Sequence, residues 1–173
     1  GMPKVGWREV YDRGSGRKLG SLSRCSGTTP TLLGEHYVTV TDNADGRINL
    51  LVYRREQAFS GQRLLCKVPL FEQNGSATDN SSIGWERSII TENNAGYRSA
   101  FAQKDWNEVV GGMMRVDIRE DESGCDVIWH SSEHSPSLVA KLSLVSGLIY
   151  GYTFEQRTND ENAWYLTALD FTT

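Results

Sequence analysis

Short apolar runs, each about the length of a β-strand, recur along the whole chain between clusters of Gly, Asn, Asp, Ser and Pro. The runs are rich in Val, Ile, Leu, Tyr and Trp, and they either alternate with polar residues or are continuously apolar. The spacing of an amphipathic helix is almost absent. Because short runs punctuated by turn residues are typical of antiparallel sheets, the sequence predicts an all-β fold.

The runs follow one another in a repeated order of four types, which we label a, b, c and d. A repeat of roughly 50 to 65 residues with four strands is typical of one blade of a β-propeller. We therefore predict one propeller-type domain over residues 1–173, with four-stranded antiparallel blades at about 27–71, 77–131 and 139–173. The predicted strands cover residues 27–34, 37–43, 48–56 and 63–71, then 77–84, 87–94, 112–120 and 124–131, and finally 139–147, 148–155 and 164–173.

The third set of runs has no d-type member, whereas residues 5–12, VGWREVYD, have the pattern of a d strand placed before the first set. Three blades cannot close a ring, since propellers have about four to eight. An open arrangement also leaves an unpaired strand edge, and such edges invite association. We therefore expect a homodimer with a six-bladed ring, in which residues 5–12 complete the third blade of the partner chain. Alternatively, the chain is a fragment of a longer propeller whose other blades follow residue 173.

Composition narrows the classes of partner. The 173 residues carry a net charge of −4 and no run of Lys and Arg, which disfavours nucleic acid. No apolar stretch approaches the roughly 18 residues that span a membrane, and the first residues, GMPKVGW, lack the apolar segment of a signal peptide. The compartment stays open. The three cysteines, Cys25, Cys66 and Cys125, are odd in number, so we expect buried free thiols rather than a fully paired disulfide framework.

The tripeptide Thr-Asp-Asn occurs twice, at residues 41–43 and at residues 78–80. In the predicted blades the first copy ends a b strand and the second opens an a strand, so the two copies are not equivalent in the repeat. The end of b and the start of a nevertheless lie at the same end of a blade, near one mouth of the channel. We expect a polar cluster there, with Lys141 paired to one of its carboxylates. The cluster comprises Asp42, Asn43, Asp45, Asp79, Asn80, Glu92, Asn93 and Lys141.

Two readings of this cluster remain open. Asp and Asn are common at strand ends because their side chains bond the local backbone. The same side chains supply the oxygen ligands that calcium prefers, about six to eight per ion. The cluster also resembles the site of the six-bladed, calcium-dependent propellers of the gluconolactonase and paraoxonase type, and LTALDFTT at residues 166–173 resembles a strand and turn of quinoprotein-like propellers. The first resemblance implies a Ca²⁺ ion held by Asp42, Asp79, Asn80, Glu92 and Asn93. Lys141 does not fit this arrangement, because its positive charge opposes a bound cation.

These observations lead to three hypotheses about function. The first is a propeller module that binds a ligand or a partner at the polar channel mouth, through Asp42, Asn43, Asp79 and the other cluster residues. The alternative is a calcium-dependent hydrolase of a lactone or ester, in which the metal would polarise the carbonyl group and activate water. The second alternative is part of a quinone-dependent dehydrogenase, which would need a wide cofactor cavity with stacked aromatic rings. The sequence identifies no catalytic residue, so whether the protein is an enzyme stays open.

Overall fold

The computed structural model describes residues 1–21, 26–99, 101–136, 139–157 and 161–172. Within them, eleven strands form three antiparallel sheets, so the predicted all-β fold is confirmed. In each sheet, strands that follow one another in the chain are neighbours. Sheet 1 contains β1 (Thr31–Leu33), β2 (Tyr37–Thr41), β3 (Asn49–Arg54) and β4 (Leu64–Pro69). Sheet 2 contains β5 (Ile83–Trp85), β6 (Ser88–Glu92), β7 (Met113–Ile118) and β8 (Cys125–Ser131), and sheet 3 contains β9 (Lys141–Ser143), β10 (Leu148–Gln156) and β11 (Asn162–Asp170).

Each of the eleven predicted runs overlaps one strand, but some of the predicted bounds are wrong. Residues 5–12 belong to no sheet of the single chain, and their place as a strand in the third blade of a partner chain stays a prediction. The a-type strands are also shorter than predicted, and β5 begins only at Ile83. Residues 77–82 are not part of the strand because their hydroxyl and amide groups bond residues at the end of β6. For example, Thr78 Oγ1 donates to Asn94 Oδ1 at 2.8 Å.

The first hydrophobic core lies between sheets 1 and 2. In β3, the side chains of Leu50 and Val52 are fully buried and pack against those of Ile89 and Val116 in sheet 2. Alternate residues of a strand point to opposite faces, so the same register sends Leu51 and Tyr53 to the outer face of sheet 1.

The second hydrophobic core lies between sheets 2 and 3. It contains Ile90 and Met113 from sheet 2, together with Ile149 from β10 and Phe171. Ile90 follows Ile89 directly, so neighbouring residues of β6 serve the two cores. Sheet 2 is therefore covered on both faces, which explains why all five residues of β6 are buried.

The a-type strands of sheets 1 and 2, β1 and β5, approach each other closely. A Cβ atom on Gly84 would lie 2.5 Å from Leu33 Cδ2, so glycine is required for this contact. Beside it, Thr31 Oγ1 donates to the carbonyl of Ser82 at 2.8 Å. The contact aligns β1 with β5 and so places the starts of both strands at the same end of the stack.

The outer, d-type strands of sheets 1 and 2 are joined by a disulfide between Cys66 in β4 and Cys125 in β8. The expectation of free thiols was therefore wrong for this pair. An odd cysteine count rules out complete pairing but not one bond. The stacking of the sheets brings the two Cα atoms to 6.0 Å, a separation that a disulfide spans. Cys25 lies outside the described residues.

Residues 5–12 lie against the outer face of sheet 1. The ring of Trp7 is 6.4 Å from that of Tyr53, and its indole nitrogen donates to the carbonyl of Arg55 at 3.4 Å. The guanidinium of Arg63 stacks over the same indole at 4.6 Å. Glu9 also approaches Arg63, with 4.0 Å between Oε1 and Nε. The segment therefore occupies the side of sheet 1 that faces away from sheet 2.

None of the helices among the described residues is long and apolar enough to cross a membrane. The helical turn η1, Trp106–Glu108, lies in the long loop between β6 and β7. Asp105 caps it by accepting from Asn107 N at 2.9 Å.

Candidate functional site

The ends of the b-type strands β2 and β6 are built alike. The N–H of Asp42 donates to the carbonyl of Asn49, and the N–H of Asn93 donates to the carbonyl of Gly112, both at 2.9 Å. Asp42 and Asn93 therefore occupy equivalent positions in sheets 1 and 2. The structural counterpart of the first Thr-Asp-Asn is thus Glu-Asn-Asn at residues 92–94, and the copy at residues 78–80 has a different position, as predicted.

Asp42 is used to hold the loop between β2 and β3. It is 1% exposed, and its Oδ1 accepts from the N–H of Asn49 at 2.7 Å and from that of Ala44 at 3.3 Å. Its Oδ2 accepts from Asn49 Nδ2 at 2.7 Å and lies 3.6 Å from the ammonium of Lys67. Both oxygens of this predicted calcium ligand are therefore bonded to groups of sheet 1.

Asn93 has the same role in sheet 2. Its Oδ1 accepts from the N–H of Ala77 at 3.2 Å and from that of Ala95 at 3.1 Å. Its Nδ2 donates to the carbonyls of Gly75 at 2.9 Å and Gly111 at 3.2 Å. A cation could bind the amide oxygen only if these backbone contacts were weakened.

Asn94 and Asn43 differ although they are equivalent in the repeat. Asn94 Oδ1 accepts from Thr78 Oγ1 and, at 3.3 Å, from the N–H of Asp79, so it brings the second Thr-Asp-Asn to the end of β6. Asn43 Nδ2 donates to Ser21 Oγ at 2.8 Å. In the part of the chain that the structure describes, Asn43 Oδ1 is buried without a hydrogen-bond partner.

Glu92 and Asn80, both predicted site residues, are in direct contact. Asn80 Nδ2 donates to Glu92 Oε2 at 2.9 Å, and the N–H of Ala140 donates to Oε1 at 3.2 Å. Burial of Glu92, which is 4% exposed, raises the pKa of its carboxyl to about 8, although these two hydrogen bonds act in the opposite direction. At neutral pH Glu92 is therefore a neutral bridge between β6 and the segment that enters β9.

Lys141 does not form the predicted ion pair. It is the first residue of β9 and is exposed, and no carboxylate of the described residues lies within 4.0 Å of its ammonium. The physical reason is the register of β9, which pairs Lys141 with Tyr150 and places its side chain on the outer face of sheet 3, away from Glu92.

Lys18 is a half-buried cation that the sequence analysis missed. Its ammonium donates to the carbonyls of Ala44 and, at 3.2 Å, of Ser76. Burial lowers its pKa, while the nearby carboxylates of Asp42 and Asp45 raise it in part. No sequence signal pointed to Lys18, because the surrounding GSGRKLG has the composition of an ordinary loop.

The segment that carries Lys18 crosses the ends of sheets 1 and 2. The N–H of Asn43 donates to the carbonyl of Asp12 at 3.0 Å, and the N–H of Gly96 donates to that of Leu19 at 3.3 Å. Asp45 Oδ1 accepts from the N–H of Ser15 at 2.8 Å, and this bond lowers the pKa of the exposed Asp45 carboxyl. The segment therefore covers part of the polar end of the stack.

The predicted polar residues bond two sets of partners, and their convergence on one site stays a prediction. Asp42 and Asn43 bond groups of sheet 1 and the chain before it, whereas Asp79, Asn80, Glu92 and Asn93 lie at the end of sheet 2. Gly27 comes close to the second group, since a Cβ on it would lie 1.9 Å from Asp79 Oδ1. Over the described ranges, no three His, Cys, Asp or Glu side chains are grouped so that they could hold a metal ion. Calcium binding stays a prediction.

Comparison with known proteins gives no relative for this chain. No protein-family model matches it, and neither a curated protein nor a solved structure is significantly similar to it. Function is therefore argued from the geometry of the chain alone.

Proposed function

We propose that the chain is a partner-binding module, namely three blades of a β-propeller that assemble with the three blades of a second copy into a six-bladed ring. The observation that carries this proposal is the stacking of the sheets. They pack face to face in chain order, and each end of the stack leaves an apolar sheet face. Exposed apolar faces of this kind mark protein–protein interfaces.

The outer face of sheet 3 is the more exposed of the two. The register pairs Tyr152 with Leu166, which places both side chains on one face of the sheet, and they are 61% and 73% exposed. Tyr150, two residues before Tyr152, lies on the same face and is also exposed. The opposite face of β10 carries Ile149, which is fully buried against sheet 2.

The outer face of sheet 1 offers a complementary groove. Residues 5–12 cover only part of this face, and a groove of about 370 Å³ remains between them and the sheet. Val38, Val40 and the rings of Trp7 and Tyr53 line the groove. A second sheet could bury this surface as sheets 1 and 2 bury each other.

The edge of β11 explains why a second copy fits better than an unrelated partner. In the part of the chain that the structure describes, β11 pairs with β10 but with no strand on its other edge. In sheets 1 and 2 a fourth strand follows at that position, and β8 packs near β4 through the disulfide. Residues 5–12 lie on the side of sheet 1 that faces away from sheet 2, beside Arg63, which precedes β4. A second copy that docks its sheet 3 on this side of sheet 1 would bring its β11 alongside residues 5–12.

Partner binding is favoured over the calcium-dependent hydrolase because the oxygens of Asp42 and Asn93 are already bonded to backbone N–H groups. Burial raises the pKa of Glu92 to about 8, so a cation that binds this carboxyl at neutral pH would also have to displace its proton. No observation on the described residues favours the quinone-dependent dehydrogenase.

The test is the mass of the protein in solution, measured by light scattering coupled to gel filtration over about 1 to 100 µM. We expect a species of about twice the 19.4 kDa of one chain. The double variant Tyr152→Glu, Leu166→Lys should be monomeric, because it places charges on the outer face of sheet 3. The control is Val145→Glu, which replaces a fully exposed apolar residue in the turn between β9 and β10.

A wild-type protein that stays monomeric across this range would overturn the proposal of a second copy. The outer faces would then have to be covered by other blades, as in a longer propeller. Equal dissociation of the Val145 control would show that the outer face of sheet 3 is not the interface.

A further inference from the structure

A cleft of about 630 Å³ opens between the β10–β11 hairpin and two loops of sheet 2. One side is formed by Phe154 of β10 and Tyr165 of β11, and the other by Trp106 of η1 and by Glu133 and His134. Tyr150, Tyr152 and Leu166 do not line it. Phe154 follows Tyr152 on the same side of β10, so the cleft adjoins the outer face of sheet 3 that we propose for assembly but is lined by other residues.

The aromatic rings of the cleft are held in place by one another. The ring of Trp106 meets Phe154 edge to face at 5.0 Å and Trp164 at 5.1 Å. Phe154 also contacts His134 at 5.2 Å. Trp106 is only partly buried and Tyr165 is exposed, so both present ring surface to the cleft. Fixed aromatic rings of this kind bind flat apolar surfaces without a large entropy cost.

Polar groups surround the aromatic surface. Within the described ranges, no side-chain hydrogen bond to protein engages Glu133, Asn107 or Gln156, and all three line the cleft. Glu155 is different, because its Oε2 accepts from the hydroxyl of Tyr165 at 3.0 Å, and Arg157 donates to the same hydroxyl at 2.7 Å.

The charge of the lining limits the class of ligand. Of the described residues that line the cleft, none is Lys or Arg, and two are glutamates. A phosphate or carboxylate would be repelled by Glu133 and Glu155. Arg157 donates to the Tyr165 hydroxyl that also bonds Glu155. Its positive charge therefore partly balances the negative charge on that side of the cleft. The free groups therefore suit a neutral ligand with both donors and acceptors.

We propose that this cleft binds a neutral carbohydrate. The C–H face of a sugar ring would stack on Trp106 or Tyr165, and its hydroxyl groups would donate to Glu133 and exchange hydrogen bonds with Asn107 and Gln156. The volume is sufficient for about two sugar rings. This proposal does not depend on the assembly of the chain, because it uses different residues.

The test is saturation-transfer NMR with four disaccharides: cellobiose, maltose, lactose and N,N′-diacetylchitobiose. We expect at least one to receive saturation from the protein, with a Kd of about 1 mM. Trp106→Ala should weaken that binding at least tenfold and Glu133→Ala at least threefold. Glu133→Ala guards against misfolding of the tryptophan variant, because it changes a side chain that makes no internal hydrogen bond. The matched control is Phe101→Ala, which removes a fully exposed ring from the same loop as Trp106 and should leave the signal unchanged.

Absence of transfer to all four disaccharides would overturn the proposal. So would transfer that persists undiminished in both cleft variants, because the sugar would then bind elsewhere. Tetramethylammonium is included as a further probe. Stronger binding of this cation than of any sugar, lost in Glu133→Ala, would show a cation site instead.

Discussion

At the scale of residues, two buried carboxyl groups have different neighbours. Asp42 is surrounded by donors: the N–H groups of Ala44 and Asn49, the Asn49 amide and the Lys67 ammonium. Glu92 receives two donors, from Asn80 and Ala140, and no described cation pairs with it. Desolvation therefore dominates at Glu92. The type of residue does not decide this outcome, since it depends on what the fold places nearby.

The raised pKa of Glu92 predicts a stability that falls as pH rises. The folded carboxyl has a pKa of about 8 and the unfolded one about 4.5, so the folded state holds one more proton between these values. The contribution of Glu92 to the free energy of unfolding is therefore greatest below about pH 4.5. It declines by up to about 1.4 kcal/mol per pH unit until about pH 8. Urea unfolding of wild type and Glu92→Gln from pH 5 to pH 8 measures this. The neutral variant should lack this component of the slope, and equal slopes in both proteins would contradict the prediction.

The equivalent positions Asp42 and Asn93 should respond unequally to exchange of their residue types. Asp42→Asn keeps one oxygen for the N–H groups of Ala44 and Asn49 but turns its amide N–H groups toward Asn49 Nδ2 and the Lys67 ammonium, so we expect a loss of about 2 kcal/mol in the free energy of unfolding. Asn93→Asp places a charged oxygen against the carbonyls of Gly75 and Gly111 and should cost about 3 kcal/mol or more. Urea unfolding of both variants at pH 7 compares them. A larger loss for Asp42→Asn would show that its contacts to Lys67 and Asn49 Nδ2 matter more.

At the scale of elements, the three sheets use the same meander but are fastened to one another differently. Sheets 1 and 2 are joined at the inner strands by the close approach at Gly84 and at the outer strands by the Cys66–Cys125 disulfide. Sheets 2 and 3 are joined by the second core and by the Glu92 contact to Ala140. Arg115 adds a bond from β7 to the carbonyl of Phe171 at 2.7 Å.

Removal of the disulfide should weaken the pairing of sheets 1 and 2. The bond closes a loop of 59 residues, so we expect Cys66→Ser, Cys125→Ser to lower the free energy of unfolding by about 2–4 kcal/mol. Guanidinium unfolding measures the change. A reducing agent should bring the wild type to a similar value and should leave the double variant unaffected. If the reducing agent does not change the wild type, the bond does not contribute to stability in this way.

At the scale of the whole molecule, the position of each sheet in the stack determines how well it is protected. Sheet 2 is covered on both faces, and every residue of β6 is buried. Sheet 3 is covered on one face, and many residues of β11 are exposed. Local opening costs least where few contacts are lost, so stability should decrease from the middle of the stack outward.

Hydrogen–deuterium exchange read by mass spectrometry should show this gradient. We expect peptides from β6 to exchange slowest and peptides from β11 to exchange fastest among the strands. When the protein concentration is raised, β11 and residues 5–12 should gain protection against exchange together, because assembly would place them side by side. The peptide of β6 serves as the internal control. Protection that rises in all strands alike, or in none, would contradict the assembly.

Most of the fold could be predicted because it depends on local patterns. The apolar runs and the turn residues between them located all eleven strands and their order, since both the alternation and the turns are properties of neighbouring residues. The boundaries of β1, β5 and β9 were less accurate. Residues that flank β1 and β5 bond partners far along the chain, as the N–H of Thr29 donates to Ser81 Oγ at 3.1 Å, and a local pattern does not contain those partners.

The candidate site could be predicted only in outline. Strand ends placed Asp79, Asn80, Glu92 and Asn93 at one end of sheet 2, because the end of a b strand and the start of an a strand adjoin in any antiparallel hairpin. Three features were invisible in the sequence: the pKa of Glu92, the half-buried position of Lys18 and the exposed position of Lys141. Each depends on which distant segment packs against the residue.

The sequence by itself thus determined the all-β class, the order of the strands and the polar character of the strand ends, because these follow from the chemistry of residues close together in the chain. Only the tertiary structure decided which cysteines are joined, which groups Lys18 bonds and which faces remain open. These depend on how sheet packs on sheet, for example on the approach of Cys66 to Cys125 across 59 positions of sequence. Long-range packing of this kind results from the burial of many side chains at once, and no single stretch of residues specifies it.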